Sequence, residues 1–425
     1  MRLSVPFPRV TTVALYLLVA LTLWSPVEGD ALGNLGEPLR YALILAVSAF
    51  FCIYAYRLTD FRISLSGEWV LLIGFLLYVA LSAFWSEGGV NAFIKSLLIL
   101  SAMLMALSIA HLRPMDEIVV IFYRGICVFV VLSLFTVLLF PDFGIEHGWE
   151  LEGDWKGLAA QKNGLGHLAA LALVGGIGLP LGAAAARSIR PLVLRLSMLA
   201  INAVVLVNSG SRGALVSAGV GVGALLLSRM PRVLQRLLLL VFVALAVPLV
   251  NITLPTIELQ ADKIGVLGTT LNTSNRTTLW FYGLDQLGDR PLFGFGLSGF
   301  WTPERMQVFE DTYGWVLDNF HNGYITILIE AGLVGVLLLA AAIAFLMVLY
   351  LIVIGNLRDS AVAVTFAYTC MFLFGNLVEN GIGRSTATTF IMFITLAFAL
   401  RPYILGRAGF ATNAPAGRPL APALS

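Results

Sequence analysis

The chain has 425 residues, of which 59% are hydrophobic and 12% are charged, and its formal net charge is +2. Soluble domains carry about 25% charged residues. This composition, with a mean hydropathy of +0.91, therefore excludes an ordinary soluble enzyme and predicts a protein of the lipid bilayer. The small net charge gives no sign of a nucleic-acid partner, and we expect none.

Twelve segments are long and apolar enough to cross the hydrocarbon core, which requires about 17–25 residues per helix. They are 10–26, 40–56, 69–86, 91–112, 117–140, 164–184, 192–208, 212–228, 234–251, 322–354, 360–378 and 386–405. The first segment follows Arg2 and Arg9 as a signal peptide would, but no convincing cleavage site follows it, so we predict a retained helix. The chain is therefore predicted to be an all-α polytopic membrane protein with about twelve transmembrane helices.

These segments divide the chain into four parts. They are helices one to nine (1–251), one long extracytoplasmic loop with short amphipathic helices between helices nine and ten (252–321), helices ten to twelve (322–405) and a disordered tail rich in Ala, Pro and Gly (406–425). If the N-terminus lies inside, fifteen arginines fall on the cytoplasmic side and nine Lys or Arg residues on the other. Because Lys and Arg favour cytoplasmic loops, we predict that both termini are cytoplasmic and that the long loop is outside.

Cysteines and histidines give no sign of a metal centre. Each cysteine falls inside an apolar run, which is typical of a small buried side chain rather than a disulfide: Cys52, Cys127 and Cys370. No two histidines have metal-ligand spacing, and no Asp-x-Asp pair occurs in the outer loops. We therefore expect no metal and no other cofactor.

The first polar candidates lie where predicted helices six and eight begin. Lys162 and Asn163 immediately precede helix six, and Arg212 ends a tight turn at the start of helix eight. Free backbone N–H groups and a guanidinium at a helix start suit an anion. The alternative for Arg212 is an interfacial arginine that reaches lipid phosphate.

Arg276 is predicted to begin an amphipathic helix in the long loop. Thr273, Ser274 and Asn275 are N-cap candidates. Apolar or small residues then repeat at helical spacing, at Leu279, Trp280, Gly283, Leu284 and Leu287. The alternative is a capped surface helix with an exposed arginine.

A glycine-rich run at 294–299 follows Pro291 and matches G-x-G-x-x-G. No strand–helix–strand unit surrounds it, and the loop is predicted to face away from cytoplasmic nucleotides. We therefore predict a tight turn there rather than a dinucleotide site.

His321 and Glu330 are the remaining candidates. His321 lies beside Asn322 where the loop meets helix ten, and a neutral imidazole there can accept a proton from a hydroxyl group; a lone interfacial histidine without a catalytic role is the alternative. Glu330 lies inside an apolar run, where a charge is costly and indicates a pathway, an ion pair or a polar cavity. Its candidate partners are Glu379 and Arg384. Glycines near Glu330 also indicate that helix ten is tilted or broken.

Together these residues resemble the O-antigen ligase and Wzy-type polymerase superfamily of bacterial envelope glycan enzymes. The motifs that carry the resemblance span residues 156–335 in this order: Lys162-Asn163-x-x-Gly166, Ser211-Arg212-Gly213-Ala214, Arg276-x-x-x-Trp280, Pro291-x-x-Gly294-x-Gly296, His321-Asn322-x-Tyr324 and Glu330-x-Gly332-Leu333-x-Gly335. Each motif is short, and their order along one membrane protein makes the resemblance specific.

The resemblance implies a function at the outer face of the bacterial inner membrane. A glycan carried on undecaprenyl diphosphate would be transferred to an acceptor hydroxyl, either on another glycan (polymerase) or on a lipid A core (ligase). A flippase and a chain-length regulator are further expected partners. The residues assigned to catalysis are His321, Arg276 and Arg212, and those assigned to substrate binding are Lys162, Asn163, Asn322, Glu330 and Trp280.

Two other classes remain open on the sequence. Twelve helices with both ends inside would suit a transporter or lipid-linked glycan flippase, with Glu330 as a coupling residue. No inverted repeat is visible, and the polar sequence concentrates in one outer loop rather than at mid-membrane, which argues against a transporter. The third class is a structural membrane partner of a synthase.

Overall fold

The computed structural model describes residues 7–24, 33–59, 69–147, 153–180, 189–237, 263–266, 269–272, 276–314, 319–353 and 359–404. Its helices are α1 (Phe7–Leu23), α2 (Gly33–Thr59), α3 (Val70–Leu81), α4 (Gly89–Leu112), α5 (Met115–Leu139), α6 (Pro141–Gly144), α7 (Lys162–Gly178), α8 (Ile189–Asn208), α9 (Arg212–Arg229), α10 (Arg276–Leu287), α11 (Pro303–Tyr313), α12 (Gly323–Val353), α13 (Ser360–Gly375), α14 (Thr388–Phe398) and α15 (Arg401–Ile404). A short 3-10 helix, Ser82–Trp85, extends α3. Strands β1 (Lys263–Val266) and β2 (Thr269–Asn272) form an antiparallel hairpin in which Lys263 pairs with Asn272.

Eleven of the twelve predicted spans coincide with these helices. The twelfth, 234–251, lies almost entirely outside the described residues, as does the tail at 406–425. Within the described ranges, five helical stretches are long and apolar enough to cross a membrane, namely Leu35–Leu58, Gly89–Leu112, Met115–Leu139, Arg190–Asn208 and Gly323–Val353. The helical class is thus confirmed for the part of the chain that the structure describes, and the count of twelve crossings stays a prediction.

Helices α7, α9 and α13 pack closely because small residues line their contacts. A Cβ at Gly175 of α7 would overlap the hydroxyl group of Tyr368 on α13. That hydroxyl donates a hydrogen bond to the carbonyl of Leu171, 3.1 Å away. On α9, a Cβ at Gly221 would reach Met371 of α13. Side chains larger than glycine would separate these helices, whose first turns carry Lys162, Asn163 and Arg212.

The loops assigned to the outer side meet at one end of the helices. The backbone N–H of Trp155 donates to the carbonyl of Asn208, 2.9 Å away, which joins the segment after α6 to the turn before α9. At the opposite end, the Arg195 guanidinium of α8 donates to the carbonyl of Ile177 on α7, 2.9 Å away. Each of these contacts joins segments that the arginine distribution assigns to the same side, and the topology itself stays a prediction.

Helix α12 is broken near its start, which is one of the two arrangements, tilted or broken, that its glycines predict. Gly332 has φ 66° and ψ −168°, which no helix contains. The loop that follows α10 fills the break: the N–H of Phe295 donates to the carbonyl of Ile329 at 3.0 Å, and the N–H of Gly296 donates to that of Glu330 at 2.7 Å. The break leaves these carbonyls without helical donors, and the loop replaces those donors.

Glycine is required where the loop and the broken helix touch. A Cβ at Gly294, which has φ 64°, would overlap the carbonyl oxygen of Ile329. A Cβ at Gly332 would overlap the carbonyl oxygen of Leu292. The glycine-rich run is thus a tight turn, as predicted, and its glycines allow two backbones to approach each other.

The same loop is anchored to the turn between α3 and α4. The Glu87 carboxylate lies 2.5 Å from the guanidinium of Arg290 and 2.7 Å from that of Arg305. Partial burial raises the pKa of Glu87, but the two guanidinium groups outweigh this effect and hold the pKa below its ordinary value. Beneath the loop lies a separate apolar cluster of Leu279, Phe295, Phe300, Phe309, Phe320, Ile325 and Ile329. These contacts fix the second half of the long loop against the helices.

Candidate functional site

The segment that follows α13 is the centre to which the predicted motifs converge. Asn376 is buried, and its Oδ1 accepts hydrogen bonds from the N–H groups of Gly381 and Ile382, both at 2.8 Å. Its Nδ2 donates to the carbonyl of Phe372 at 2.7 Å. The side chain of Asn376 therefore folds residues 376–382 into a compact turn, with Glu379 at its middle.

Three residues from three other elements contact the Glu379 carboxylate. Asn163, in the first turn of α7, donates from Nδ2 to Oε1 at 2.8 Å. Arg276, the first residue of α10, has Nη2 at 3.7 Å from Oε1. His321, just before α12, has Nδ1 at 3.6 Å from Oε2, slightly beyond hydrogen-bond distance. We call these four residues the Glu379 cluster.

Backbone atoms of the same turn hold the cluster together. The Arg276 guanidinium also donates to the carbonyl of Val378, and Asn322 donates from Nδ2 to that of Leu377 at 3.1 Å. The N–H of Gly323 is shared between the carbonyls of Asn376 and Glu379, at 2.8 and 3.1 Å. Because these bonds join α10 and the start of α12 to one turn, Arg276 and His321 are held at the same place.

The backbone of His321 adopts a left-handed conformation with φ 47°, which is uncommon for any residue except glycine. Its N–H donates to Oδ1 of Asn319 at 2.9 Å, and the carbonyl of the preceding Phe320 accepts from the indole of Trp280 at 2.8 Å. Trp280 is therefore part of the support that positions His321. Its predicted contact with substrate stays a prediction.

Asn322 begins α12 as an N-cap. Its Oδ1 accepts hydrogen bonds from the N–H groups of Tyr324 and Ile325, at 3.0 and 3.1 Å. The side chain is only 7% exposed. It therefore satisfies backbone donors that a helix start leaves free, and its predicted role in substrate binding is not tested by this arrangement.

Charge around Glu379 keeps its carboxyl group ionised. Burial raises the pKa of Glu379, but His321, Arg276 and His167 outweigh this effect and hold the pKa below its ordinary value. His167 lies on α7, where its Nδ1 is 2.9 Å from the carbonyl of Asn163, and its Nε2 is buried without a hydrogen bond from any described residue. The charge of one carboxylate thus interacts with one guanidinium, that of Arg276, and with two imidazoles, those of His321 and His167.

Arg212 lies close to the cluster at the start of α9. The Oγ of Ser211 accepts from the N–H of Ala214 at 3.4 Å and caps the helix. A Cβ at Gly213 would lie 3.0 Å from the side chain of Val378, so the turn that carries Glu379 packs directly against this helix start. Arg212 itself is exposed, and its guanidinium has no hydrogen bond or ion pair within the described ranges. It is therefore available to an anion.

Lys162 is differently placed from the arginines. It is the first residue of α7, where the sequence predicted it just ahead of the helix. Its ammonium group lies 2.5 Å from the carboxylate of Asp154, and its N–H donates to Glu146 at 3.2 Å. A neighbouring carboxylate already neutralises Lys162, so a diphosphate would have to compete for it.

Glu330 lies at the break in α12. The N–H of Ser298 donates to its carboxylate, and Lys95 and Arg384 lie close enough to act on its charge. Of the two partners considered on the sequence, Arg384 thus acts on Glu330, whereas Glu379 contacts Arg276 and His321. Among the described residues, no contact joins Glu330 to the Glu379 cluster.

Sequence reasoning missed the central role of Glu379. The signal was a short polar segment, 376–384, between two apolar runs on the predicted outer side. Its partners could not be read from that segment, because Asn163 and Glu379 are 216 residues apart.

These features define a helical membrane protein with a polar site at one end of its helices, built from arginines at helix starts, asparagines and a histidine around one carboxylate. The sequence profile of the O-antigen ligase family, Wzy_C, matches residues 197–340. Over this span the chain is similar to the O-antigen ligase and Wzy superfamily, which confirms the resemblance. The matched span contains Arg212, Arg276 and His321, whereas Asn163 and Glu379 lie outside it. A comparison with curated proteins gives no match.

Proposed function

We propose that the protein is a glycosyltransferase-like polysaccharide polymerase, which joins a lipid-diphosphate-linked oligosaccharide to an acceptor glycan at the outer face of the inner membrane. The observation that carries this proposal is the Glu379 cluster. It holds a guanidinium and an imidazole on the two oxygens of one carboxylate, beside the exposed Arg212. Glycan transfer from a diphosphate needs a cation for the leaving group and a base for the acceptor, and the cluster supplies both.

In the proposed step, Nε2 of His321 removes the proton from the acceptor hydroxyl. The acceptor oxygen forms a bond to the anomeric carbon of the donor sugar. The bond between that carbon and the phosphate oxygen breaks, and its electron pair leaves with the lipid diphosphate. Arg212 and Arg276 bind the diphosphate by charge-assisted hydrogen bonds and stabilise its growing charge.

Arg276 can serve both Glu379 and a diphosphate, because a guanidinium has five N–H donors. Its Nη1 donates to the carbonyl of Val378 and its Nη2 faces Glu379. The side chain is 25% exposed, so part of it stays accessible to a ligand. The carboxylate and the carbonyl hold the guanidinium in place before the donor arrives, which reduces the reorganisation that binding requires.

The donor and acceptor are proposed from the family. The donor is a glycan on undecaprenyl diphosphate, and the acceptor is another glycan chain. The second candidate is a ligase that transfers the glycan to a lipid A core, which the description of the matched family favours. A glycan flippase and a chain-length regulator would work with either enzyme.

Purified protein supplied with lipid-linked repeat units tests the proposal. A ladder of extended glycans on the lipid is the expected product. A single transfer to added lipid A core, without a ladder, would support the ligase instead. If neither product forms while the protein is folded, both transfer functions are wrong.

Single-turnover kinetics of His321 variants test the proposed base. His321→Ala should lower the rate by roughly 10²–10⁴-fold, the usual contribution of general base catalysis. Donor affinity should survive, because the proposed diphosphate ligands lie elsewhere. In the wild type, the rate between pH 5.5 and 8.5 should fall on the acid side, where imidazole is protonated. We call this part of the pH–rate profile the acid limb.

Two comparisons sharpen this test. His147→Ala removes an exposed histidine from the segment after α6, whose Nε2 lies 3.1 Å from the carbonyl of Asp142, and should leave the rate unchanged. Near wild-type turnover of His321→Gln would remove His321 from the catalytic residues. If His321→Ala binds the donor more weakly and the rate of the wild type does not fall on the acid side, His321 is a diphosphate ligand rather than a base.

A further inference from the structure

We propose that Glu379 is a positioning residue for the transfer reaction, which orients Arg276 with one oxygen and fixes the tautomer of His321 with the other. The inference rests on the proposed function and deepens it. Nothing in the matched span 197–340 assigns a role to Glu379, which lies beyond it.

The two carboxylate oxygens have separate tasks. Oε1 accepts from Asn163 at 2.8 Å and faces the Arg276 guanidinium at 3.7 Å. Oε2 faces Nδ1 of His321 at 3.6 Å. The Asn163 hydrogen bond and the turn built by Asn376 hold the carboxylate in this orientation. A shift of the carboxylate would therefore disturb both groups at once.

The tautomer of His321 follows from what faces each ring nitrogen. Nδ1 is buried and has no hydrogen-bond partner within the described residues, and the Glu379 carboxylate, an acceptor, lies 3.6 Å from it. A carboxylate only accepts hydrogen bonds, so it favours a proton on Nδ1. The neutral ring then carries its lone pair on Nε2. Glu379 therefore makes Nε2 the basic nitrogen and stabilises the imidazolium that forms when Nε2 takes a proton.

The charged groups around Glu379 keep it ionised while the enzyme works. They are Arg276 from α10, His321 from the segment before α12 and His167 from α7. Burial raises the pKa of Glu379 and these groups lower it, with a net value below the ordinary one. A carboxyl group with a lowered pKa contributes stability at pH values above its unfolded pKa and loses it only as the pH falls through the folded value. Between pH 5.5 and 8.5 the carboxylate therefore stays charged, and the acid limb reports on the histidine.

The test compares Glu379→Gln with the wild type in the single-turnover assay across that pH range. Glutamine keeps the length of the side chain but removes its charge. Turnover should fall by up to about 10⁴-fold, the effect of neutralising a carboxylate that sets the tautomer of a general-base imidazole. The acid limb should move to lower pH, because the imidazolium loses its anionic partner. Donor affinity should fall less, through the loss of support for Arg276.

Controls separate positioning from folding. Glu310→Gln removes an exposed carboxylate from α11, outside the cluster, and should change neither the rate nor the acid limb. Glu379→Asp retains the charge, so its acid limb should stay closer to that of the wild type than the limb of Glu379→Gln does. If Glu379→Gln does not fold, the pH–rate profile of Glu379→Asp decides. Because aspartate retains the charge, an acid limb that moves to lower pH as if the charge were lost would overturn the proposal.

Failure of this inference differs from failure of the proposed function. If the wild type extends glycans and folded Glu379→Gln does so with the same rate and acid limb, Glu379 is not a positioning residue, while the function stands. A variant that only loses folded protein, with unchanged turnover per folded molecule, also overturns the proposal. If the wild type makes no product, the proposed function fails first.

Discussion

The contact between the glycine-rich turn and the broken helix α12 gives a quantitative prediction. Gly294→Ala adds one methyl group where φ is 64° and where the carbonyl oxygen of Ile329 already fills the space. An L-residue in the left-handed region costs about 1–2 kcal/mol. The overlap with backbone atoms must also be relieved, and a carbonyl oxygen that accepts a hydrogen bond cannot rotate away as a side chain can.

The hydrogen bonds at the break set the size of this second effect. Moving the turn stretches the bonds from Phe295 to Ile329 and from Gly296 to Glu330, which are 3.0 and 2.7 Å long. Each backbone hydrogen bond contributes a net value of about 0.5–1.5 kcal/mol. Together with the strain, Gly294→Ala should therefore lower the free energy of unfolding by about 2–5 kcal/mol.

Gly314→Ala is the matched control. Gly314 also has a positive φ, 82°, but a Cβ there would meet no atom of the described residues within 4 Å. Its cost is therefore the strain alone, about 1–2 kcal/mol. Thermal unfolding of the purified protein in detergent, followed by tryptophan fluorescence, measures both variants. If the two substitutions lower the unfolding midpoint equally, the turn adapts without losing its bonds to α12, and the reasoning is wrong.

The remaining predictions concern topology, the arginines and metals. Reporter fusions should read as cytoplasmic at Arg190 and Arg232 and as external at Asp154 and Asp285; a cytoplasmic signal at Asp285 would overturn the predicted topology. Arg212→Ala and Arg276→Ala should abolish polymer without changing the amount of protein in the membrane. Lysine at either position should restore little activity, because it lacks the bidentate fork, and full activity of Arg276→Lys would disprove its role as a diphosphate ligand. Product formation should persist in EDTA, whereas a loss that magnesium or manganese reverses would contradict the expected metal independence.

The sequence was sufficient to predict eleven apolar helices and that α12 would be tilted or broken within its first third. Apolar length is a local property, so eleven predicted spans coincide with observed helices. Gly332 interrupts α12 as predicted, and α10 begins at Arg276 with Leu279, Gly283 and Leu287 on its buried face. The N-cap candidates of α10, at 273–275, lie outside the described residues.

The roles of several motif residues required the tertiary structure. Glycine, proline and asparagine signal a turn locally, but the sequence does not say which backbone the turn will contact. The Pro291-x-x-Gly294-x-Gly296 and Glu330-x-Gly332 motifs lie in one contact, where each supplies hydrogen bonds or space to the other. Glycine is therefore needed in each motif because the backbone of the other motif lies where a Cβ would be.

The grouping of the polar candidates was decided by the fold alone. His321 and Arg276 were predicted singly, and the structure places both on Glu379, with Asn163 on the same carboxylate. It places Lys162 on Asp154 instead, and it places Glu330 at the break in α12. Local sequence sets helix formation and apolar character, because these depend on neighbouring residues. Ionic partners depend on which helix ends pack together, and that depends on contacts between residues as far apart as Asn163 and Glu379.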